Sequence, residues 1–525
     1  MKTIKITYTA LALTFSALTL SSCGEYLDTL PDNRTTIDTE KKVANLLVSA
    51  YPHSSNLLIN ETMSDNADYY GDKNPNGDRF GDQVYFWQDV TESDNESPMR
   101  FWLSCYDAIA SANQALASIE EMGGAKTEAL QTSKAEALLC RAYAHFLLVN
   151  EFCMNYSEGS KALGIHYSDK VENITEKHNR GTVAEVYARI EQDLKEALPL
   201  VTDNFTVPKY HFNKRAAYAF ATRFYLYYEK WNEAVKYADM CLGSNAAATL
   251  RDWKAMSEMT SDFDAISQHY VAADVAANLM ISTHVSQLGV FFGPYTYFKR
   301  YAHGSYISNN EDFEATNVWG RGGFYYKPFS RRGNNFDVVQ IWKLPYLFEI
   351  DDPVARTGLP HTVNVVFTTD EVLLNRAEAY IMLKQYDKAA ADLDMWMHNI
   401  VKTDVSLTPE KIQNFYKSVP YSYDDASKMV STVKKHLHPA FAIDAEGSVQ
   451  ETMLQCVLGF RRMETLHQGL RWFDVKRYGI EIVRRTMGAD GKPATLTDVL
   501  KKDDNRRAVQ IPLDIRQAGV EANPR

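Results

Sequence analysis

The chain has 525 residues, 45% of them hydrophobic and 23% charged, so it has ample material for a large folded body. At ~150 residues per domain the length alone suggests three to four domains. A formal net charge of −11 argues against nucleic acid as a partner, because counterion release needs Lys and Arg against phosphate.

Lys2 and Lys5 form a short basic start, and Ile6 to Leu20 is uncharged and largely apolar. This run is short for a bilayer span, which takes about 20 apolar residues, and reads as a secretory signal over residues 1–22. Leu20-Ser21-Ser22-Cys23 has the form of a bacterial lipobox, with Cys23 as the lipid attachment site. Glu25 and Asp28 resemble the acidic export tags of Bacteroidetes surface lipoproteins. The expected location is the outer-membrane surface, with acyl chains contributing roughly 0.8 kcal/mol per buried methylene. Residues 23–38 form a polar linker. The other five cysteines (Cys105, Cys140, Cys153, Cys241 and Cys456) make no C-x-x-C pair and are expected to be buried thiols.

A helix is predicted over residues 39–53, with Val43, Leu46, Leu47 and Ala50 on one face. Asp65 to Pro98 is dense in Gly, Asn and Asp interrupted by aromatics, and reads as a long functional loop. Helices follow from Arg100 to Met122 and from Glu128 to Phe152. Thr182 caps another to Leu198, with Glu185 completing a capping box. Asn213 to Tyr228 and Asn232 to Leu242 pair through small residues facing aromatics, and 369–383 with 386–396 repeat the arrangement. This is how tetratricopeptide helix pairs stack. Between Gly243 and Pro360 the helical pattern fades. After Val401 a helix is expected at 451–469, then a short segment and a polar tail. The fold class is mostly α: tetratricopeptide-like pairs with long irregular loop insertions.

Two loop clusters carry flat rings among hydrogen-bonding side chains, the composition suited to stacking on sugar rings. One is Tyr69, Tyr70, Tyr85 and Trp87 with Asp65, Asn66 and Asp68. The other is Tyr295, Tyr297, Tyr301, Trp319, Tyr325 and Tyr326 with Asn317 and Arg321. Trp231 and Trp396 sit at helix spacing and are expected in the core. Glu233, Asp387 and Asp392 are read as solvated faces of the repeat helices. Asp72, Asn74, Asn76 and Asp78 fit the opening of a calcium loop, but its twelfth position is Gln83 rather than the closing Glu. A plain turn is therefore preferred to a structural calcium ion, and no cofactor is expected. No H-E-x-x-H motif or marked nucleophile points to catalysis, so the chain is expected not to be an enzyme.

Several ordered segments resemble the RagB/SusD family of nutrient-uptake lipoproteins. They are Tyr26-Leu27-Asp28 with Pro31 after the lipobox, CYDAIASANQAL (105–116), and RAYAHFLLVNEF (141–152). Asn375 to Tyr380 resembles the family's R-A-E-A-Y helix, and Gly459 to Gly479 its E-G-x-R-x-F-D-x-x-R stretch, with Gln468 in place of the usual Glu. The closing IPLDIRQAGVEANP resembles its I-P-x-x-E…N-P end. The resemblance implies a SusD-like fold, with an N-terminal region over 39–330 and a C-terminal region over 331–525 that includes the helix pair at 369–400. It implies capture of oligosaccharide, or in some members peptide, and delivery to a SusC/RagA-type TonB-dependent barrel. It brings no catalytic residues. Expected ligand contacts are Asp68, Tyr69, Tyr70, Trp87, Tyr295, Tyr297, Trp319 and Tyr325. A lipid-anchored glycan hydrolase and a protein-binding helical scaffold are the rival readings.

Overall fold

The computed structural model describes residues 36–71, 78–172, 178–294, 300–333, 336–424 and 429–525. Cys23, Tyr295, Tyr297, Asp72, Asn74 and Asn76 lie outside them. Among the described residues no helix is long and apolar enough to cross a membrane.

Thr39 caps α1 (Glu40–Leu47), which runs on into a 3-10 turn at Val48–Ala50. After α2 (Leu57–Met63) the expected loop at 65–98 contains two elements, β1 (Asp68–Tyr69) and α3 (Arg79–Tyr85). Two long helices follow, α4 (Pro98–Glu121) and α5 (Glu128–Phe152), then α6 (Val183–Ala197). The capping box at α6 forms as its spacing predicts: Thr182 Oγ1 accepts from Glu185 N, and Glu185 Oε2 accepts from Thr182 N.

The first repeat pair is α7 (Lys214–Tyr227) and α8 (Trp231–Leu242). Ala217, Ala221, Ala234 and Ala238 are fully buried between them, and the Tyr225 and Tyr237 rings lie parallel at 5.5 Å. The segment read as non-helical holds the short helices α9 (Trp253–Glu258), α10 (Phe263–Val271), α11 (Leu288–Phe291) and α12 (Ser305–Glu311). It also holds β2 (Asn278–Val285), β3 (Tyr301–Ala302), β4 (Phe329–Gly333), β5 (Phe336–Gln340), β6 (Leu347–Asp352) and β7 (Thr357–Thr368). Its helices of four to nine residues are too short to display a repeating apolar stripe.

The second repeat pair is α13 (Thr369–Met382) and α14 (Tyr386–Ile400). It stacks directly on the first, α8 against α13, although long irregular chain separates them. The hairpin turns match residue for residue. In each, three residues join the helices and the middle one is left-handed, Glu229 (φ 60°) and Lys384 (φ 57°). In each, the third residue closes the turn, Lys230 N donating to Tyr225 O and Gln385 N to Tyr380 O. Trp396 is core as expected, whereas Trp231 is half-buried against Phe441. Asp392 corrects its assignment as a solvated acid: it is buried and takes a two-pronged contact from Arg376, at 2.7 and 2.8 Å.

Past Val401 come α15 (Pro409–Ser418), α16 (Val449–Glu464), α17 (Leu470–Arg477), the hairpin β8 (Ile482–Met487)–β9 (Pro493–Leu500), and α18 (Leu513–Gln517). The predicted helix at 451–469 ends at Glu464, and a turn closing on left-handed Gly469 leads into α17. The expected short segment and polar tail are thus α17 and a strand hairpin. The apolar pattern failed here because Arg471, Asp474, Lys476, Arg477, Arg484 and Arg485 are all buried. Buried ions read as surface in a hydrophobicity pattern. All five described cysteines are free, buried thiols. One apolar core spans both halves of the chain, and the division expected at 330/331 falls inside β4.

Candidate functional site

The four-stranded sheet has the order β3-β1-β8-β9 and gathers segments from both ends of the chain. Strand β1 is antiparallel to β3, with Asp68 opposite Ala302 and Tyr69 opposite Tyr301, and parallel to β8 through Tyr69 and Thr486. Cross-strand partners lie close enough to stack. The Tyr69 and Tyr301 rings are 5.5 Å apart at 26°, and Tyr301 lies 4.3 Å from Tyr85 at 25°. Phe86 meets Tyr85 edge-on at 5.0 Å. Tyr85 is fully buried, with its phenol pushed up to about 12 by that burial, while Tyr69, Phe86 and Tyr301 remain partly exposed.

Helix α3 positions the polar half of this patch. Asp78 caps it by accepting from Gly81 N, and a Cβ at Gly81 would lie 2.8 Å from the capping oxygen and 3.4 Å from the Tyr301 ring. Glycine there lets the ring lie on the helix. One residue on, Asp82 accepts from Tyr301 Oη (2.5 Å) and from Arg300 Nη1 (3.0 Å). The outcome is a ring cluster rimmed by a fixed carboxylate–guanidinium pair. Beneath it a cavity of ≈ 50 Å³ is lined by Phe80, Phe291, Phe292, Tyr301 and His467. Flat apolar rings beside oriented donors and acceptors suit a ligand with both apolar faces and hydroxyls.

The opposite side of β1 is ionic. Arg485 binds Asp68 (2.6 Å) and Glu311 (2.9 Å). Glu311 also binds Lys435 (2.6 Å) and Arg462 (2.9 Å), and Asp65 binds Arg471 (2.8 Å). Burial would raise the Asp65 and Glu311 carboxyls, but the surrounding cations outweigh it and hold both well below the ordinary range. Arg484 lies over the rings of Tyr85 (3.9 Å) and Trp87 (4.2 Å), and burial pulls it down to about 10. Its guanidinium donates to the carbonyls of Thr62, Met63, Ser64 and Tyr85. A polar cavity of ≈ 130 Å³ adjoins this network, lined by Asp68, Glu311, Tyr423, Lys435, His436 and Arg485.

The expected contact residues divide accordingly. Tyr69 belongs to the ring patch. Tyr70 is partly exposed and packs against Gly304, where a Cβ would lie 1.6 Å from its hydroxyl. Asp68 and Trp87 are structural: each is 2% exposed, Asp68 in its ion pair and Trp87 with Nε1 donating to Met63 O at 2.9 Å. Trp319 is 9% exposed, donates to Gly322 O at 3.0 Å, and packs on Phe324 and Phe460. Tyr325 lies at the end of α14, its N–H bound to Ile400 O and Lys402 over its ring, and Tyr326 faces Trp253. The second predicted cluster is thus split: Tyr301 joins the patch, and the Trp319 group braces α14. Of the calcium-loop residues, Asp78 serves as the cap of α3, and Gln83 turns inward to Thr91. Asp82, Arg300 and Phe86 carry no local signal in the sequence, because their convergence depends on a strand pairing across more than 200 residues.

Residues 25–226 match a protein-family model described as SusD-like, "Starch-binding associating with outer membrane". None of the curated proteins is significantly similar in sequence. Among solved structures, a putative sugar binding protein from Bacteroides vulgatus has 18% identity and TM-score 0.61, covering 94% of this chain and 99% of that one. A SusD superfamily protein from the same organism has 18% identity and TM-score 0.63, with 93% and 99% covered. One from Bacteroides thetaiotaomicron has 18% identity and TM-score 0.59, with 94% and 100% covered. The fold is therefore the mostly α fold of the SusD superfamily. Over residues 25–226 the chain is similar to the SusD-like family.

Proposed function

We propose that the protein binds carbohydrate at the outer membrane through the Tyr69–Phe86–Tyr301 patch, tethered by a lipid on Cys23, and passes its ligand to a TonB-dependent barrel of the SusC type. The observation that carries this reading is the partly exposed ring cluster rimmed by the Asp82–Arg300 pair. The family description and the sugar-binding name of a structural relative support the ligand class. Binding proceeds by recognition alone: rings cover sugar faces while Asp82 and Arg300 meet hydroxyls, and no bond is broken.

Calorimetric titration of the full chain with malto-oligosaccharides tests it. Saturable binding is expected, weakened at least ~10-fold by Tyr69→Ala or Asp82→Ala, a loss of roughly 1.4 kcal/mol or more. Circular dichroism checks that each variant is folded. Binding unchanged in both variants would move the site elsewhere. Steady release of cleaved sugar would replace capture with hydrolysis.

A further inference from the structure

The connection from α5 to α6 carries a group that the ring patch does not use. Glu172 Oε1 lies 2.7 Å from His166 Nε2, and its Oε2 lies 3.2 Å from His178 Nε2. The two imidazole rings are stacked, 3.8 Å apart at 14°. One donor atom from each of the three residues falls within 4.8 Å of the others. All three side chains are roughly a quarter exposed, open enough to exchange an ion, and the chain at His166 is held in place.

The holding is visible in the backbone. Tyr106 Oη donates to the His166 carbonyl at 2.9 Å, and Ser168 N donates to His145 Nε2 at 3.1 Å. Asn113 Nδ2 donates to the Ser168 (3.2 Å) and Lys170 (2.9 Å) carbonyls. His166 therefore stands on chain pinned to α4 and α5, the preorganisation a ligand site needs.

We propose that His166, Glu172 and His178 bind one divalent transition-metal ion of the zinc class. Two imidazoles and one carboxylate form a donor set of open zinc sites, with a fourth position left to water. Zinc–nitrogen and zinc–oxygen bonds of about 2.0–2.2 Å in a tetrahedron place donors ~3.4 Å apart, so the present spacing closes on an ion with small side-chain shifts. Calcium is disfavoured because it takes six to eight oxygens. Nitrogen donors select the zinc, nickel and copper side of the series.

The test uses the full chain without a histidine tag, stripped with EDTA and titrated calorimetrically with ZnCl2. Histidine-bearing surfaces elsewhere need a control, and His436, between Asp424 and Glu446, supplies it. One tight equivalent is expected, weakened at least ~10-fold by His166→Ala or His178→Ala and untouched by His436→Ala. Cobalt(II) in place of zinc should show visible absorption of a four-coordinate site that the two variants lose. These side chains are partly exposed, so the variants should stay folded, which circular dichroism verifies. Absence of zinc binding, or an isotherm unchanged in the His166→Ala/His178→Ala double variant, would overturn the proposal.

Discussion

Replacing Glu378 by Gln removes one charge from a closed set while leaving the side chain's volume. Glu378 Oε1 accepts from Arg477 Nη2 (2.6 Å) and Tyr478 Oη (2.7 Å), and Oε2 accepts from Arg461 Nη1 (2.9 Å). Asp474 completes the set at 3.0 Å from Arg461 and 3.4 Å from Arg477. Two carboxylates thus face two guanidiniums, none more than 5% exposed. Burial raises the Glu378 carboxyl, and Arg477 and Arg461 overcome that and keep it ionised. With Gln, a net positive charge is stranded in the core and an amide N–H₂ must face a guanidinium. The cost should be about 3–5 kcal/mol. Arg461→Met in the same chain restores neutrality, so the double variant should be more stable than the two single losses predict by ~1 kcal/mol or more. Equilibrium urea unfolding, followed by the fluorescence of the buried Trp396 and Trp472, reports both quantities. A single-variant loss below ~1 kcal/mol, or strict additivity, would refute the closed-set argument.

Glu96 offers a pH-dependent counterpart: it accepts from Ser286 Oγ and Gln287 N, and burial pushes its carboxyl up to about 7. The folded state holds the proton more tightly, so a penalty begins near pH 4.5 and is complete above about 7, reaching roughly 3 kcal/mol. Glu96→Gln should therefore stabilise the protein at pH 8 and change little at pH 5, as read by urea midpoints; equal midpoint shifts at both values would contradict this. Glu229 bears a left-handed φ as well as a carboxyl raised to about 7 by burial. Glu229→Gly should gain about 0.5–1 kcal/mol from the backbone alone, the left-handed cost less glycine's entropy penalty, and thermal unfolding would show it.

What could be read from sequence followed from local chemistry. The Ala217/Ala221 and Ala234/Ala238 stripes announced α7 and α8, and Thr182 with Glu185 announced the start of α6. Asn375 to Tyr380 was recognised as a motif, but its purpose emerges only in three dimensions: Arg376 clamps Asp392, and Glu378 anchors α16 and α17. The ring patch was half legible. Tyr69 and Tyr301 were named from composition, yet nothing local pairs them, and Trp87 looked like a loop ring because its carbonyl and cation partners come from distant segments. Polar residues at the core defeat a pattern that equates charge with solvent.

Strand β1 also ties the patch to the C-terminal part of the chain. Its neighbours are Tyr301 on one side and Thr486 on the other, so the stacked helix hairpins can be complete while the face above them is still unmade. A nascent chain ending before residue 482 would present Asp68 without Arg485, and the carbonyls of Thr62, Met63 and Ser64 without Arg484. C-terminal truncation would therefore strike the sheet that carries the ring patch, although both repeat pairs lie wholly upstream of it.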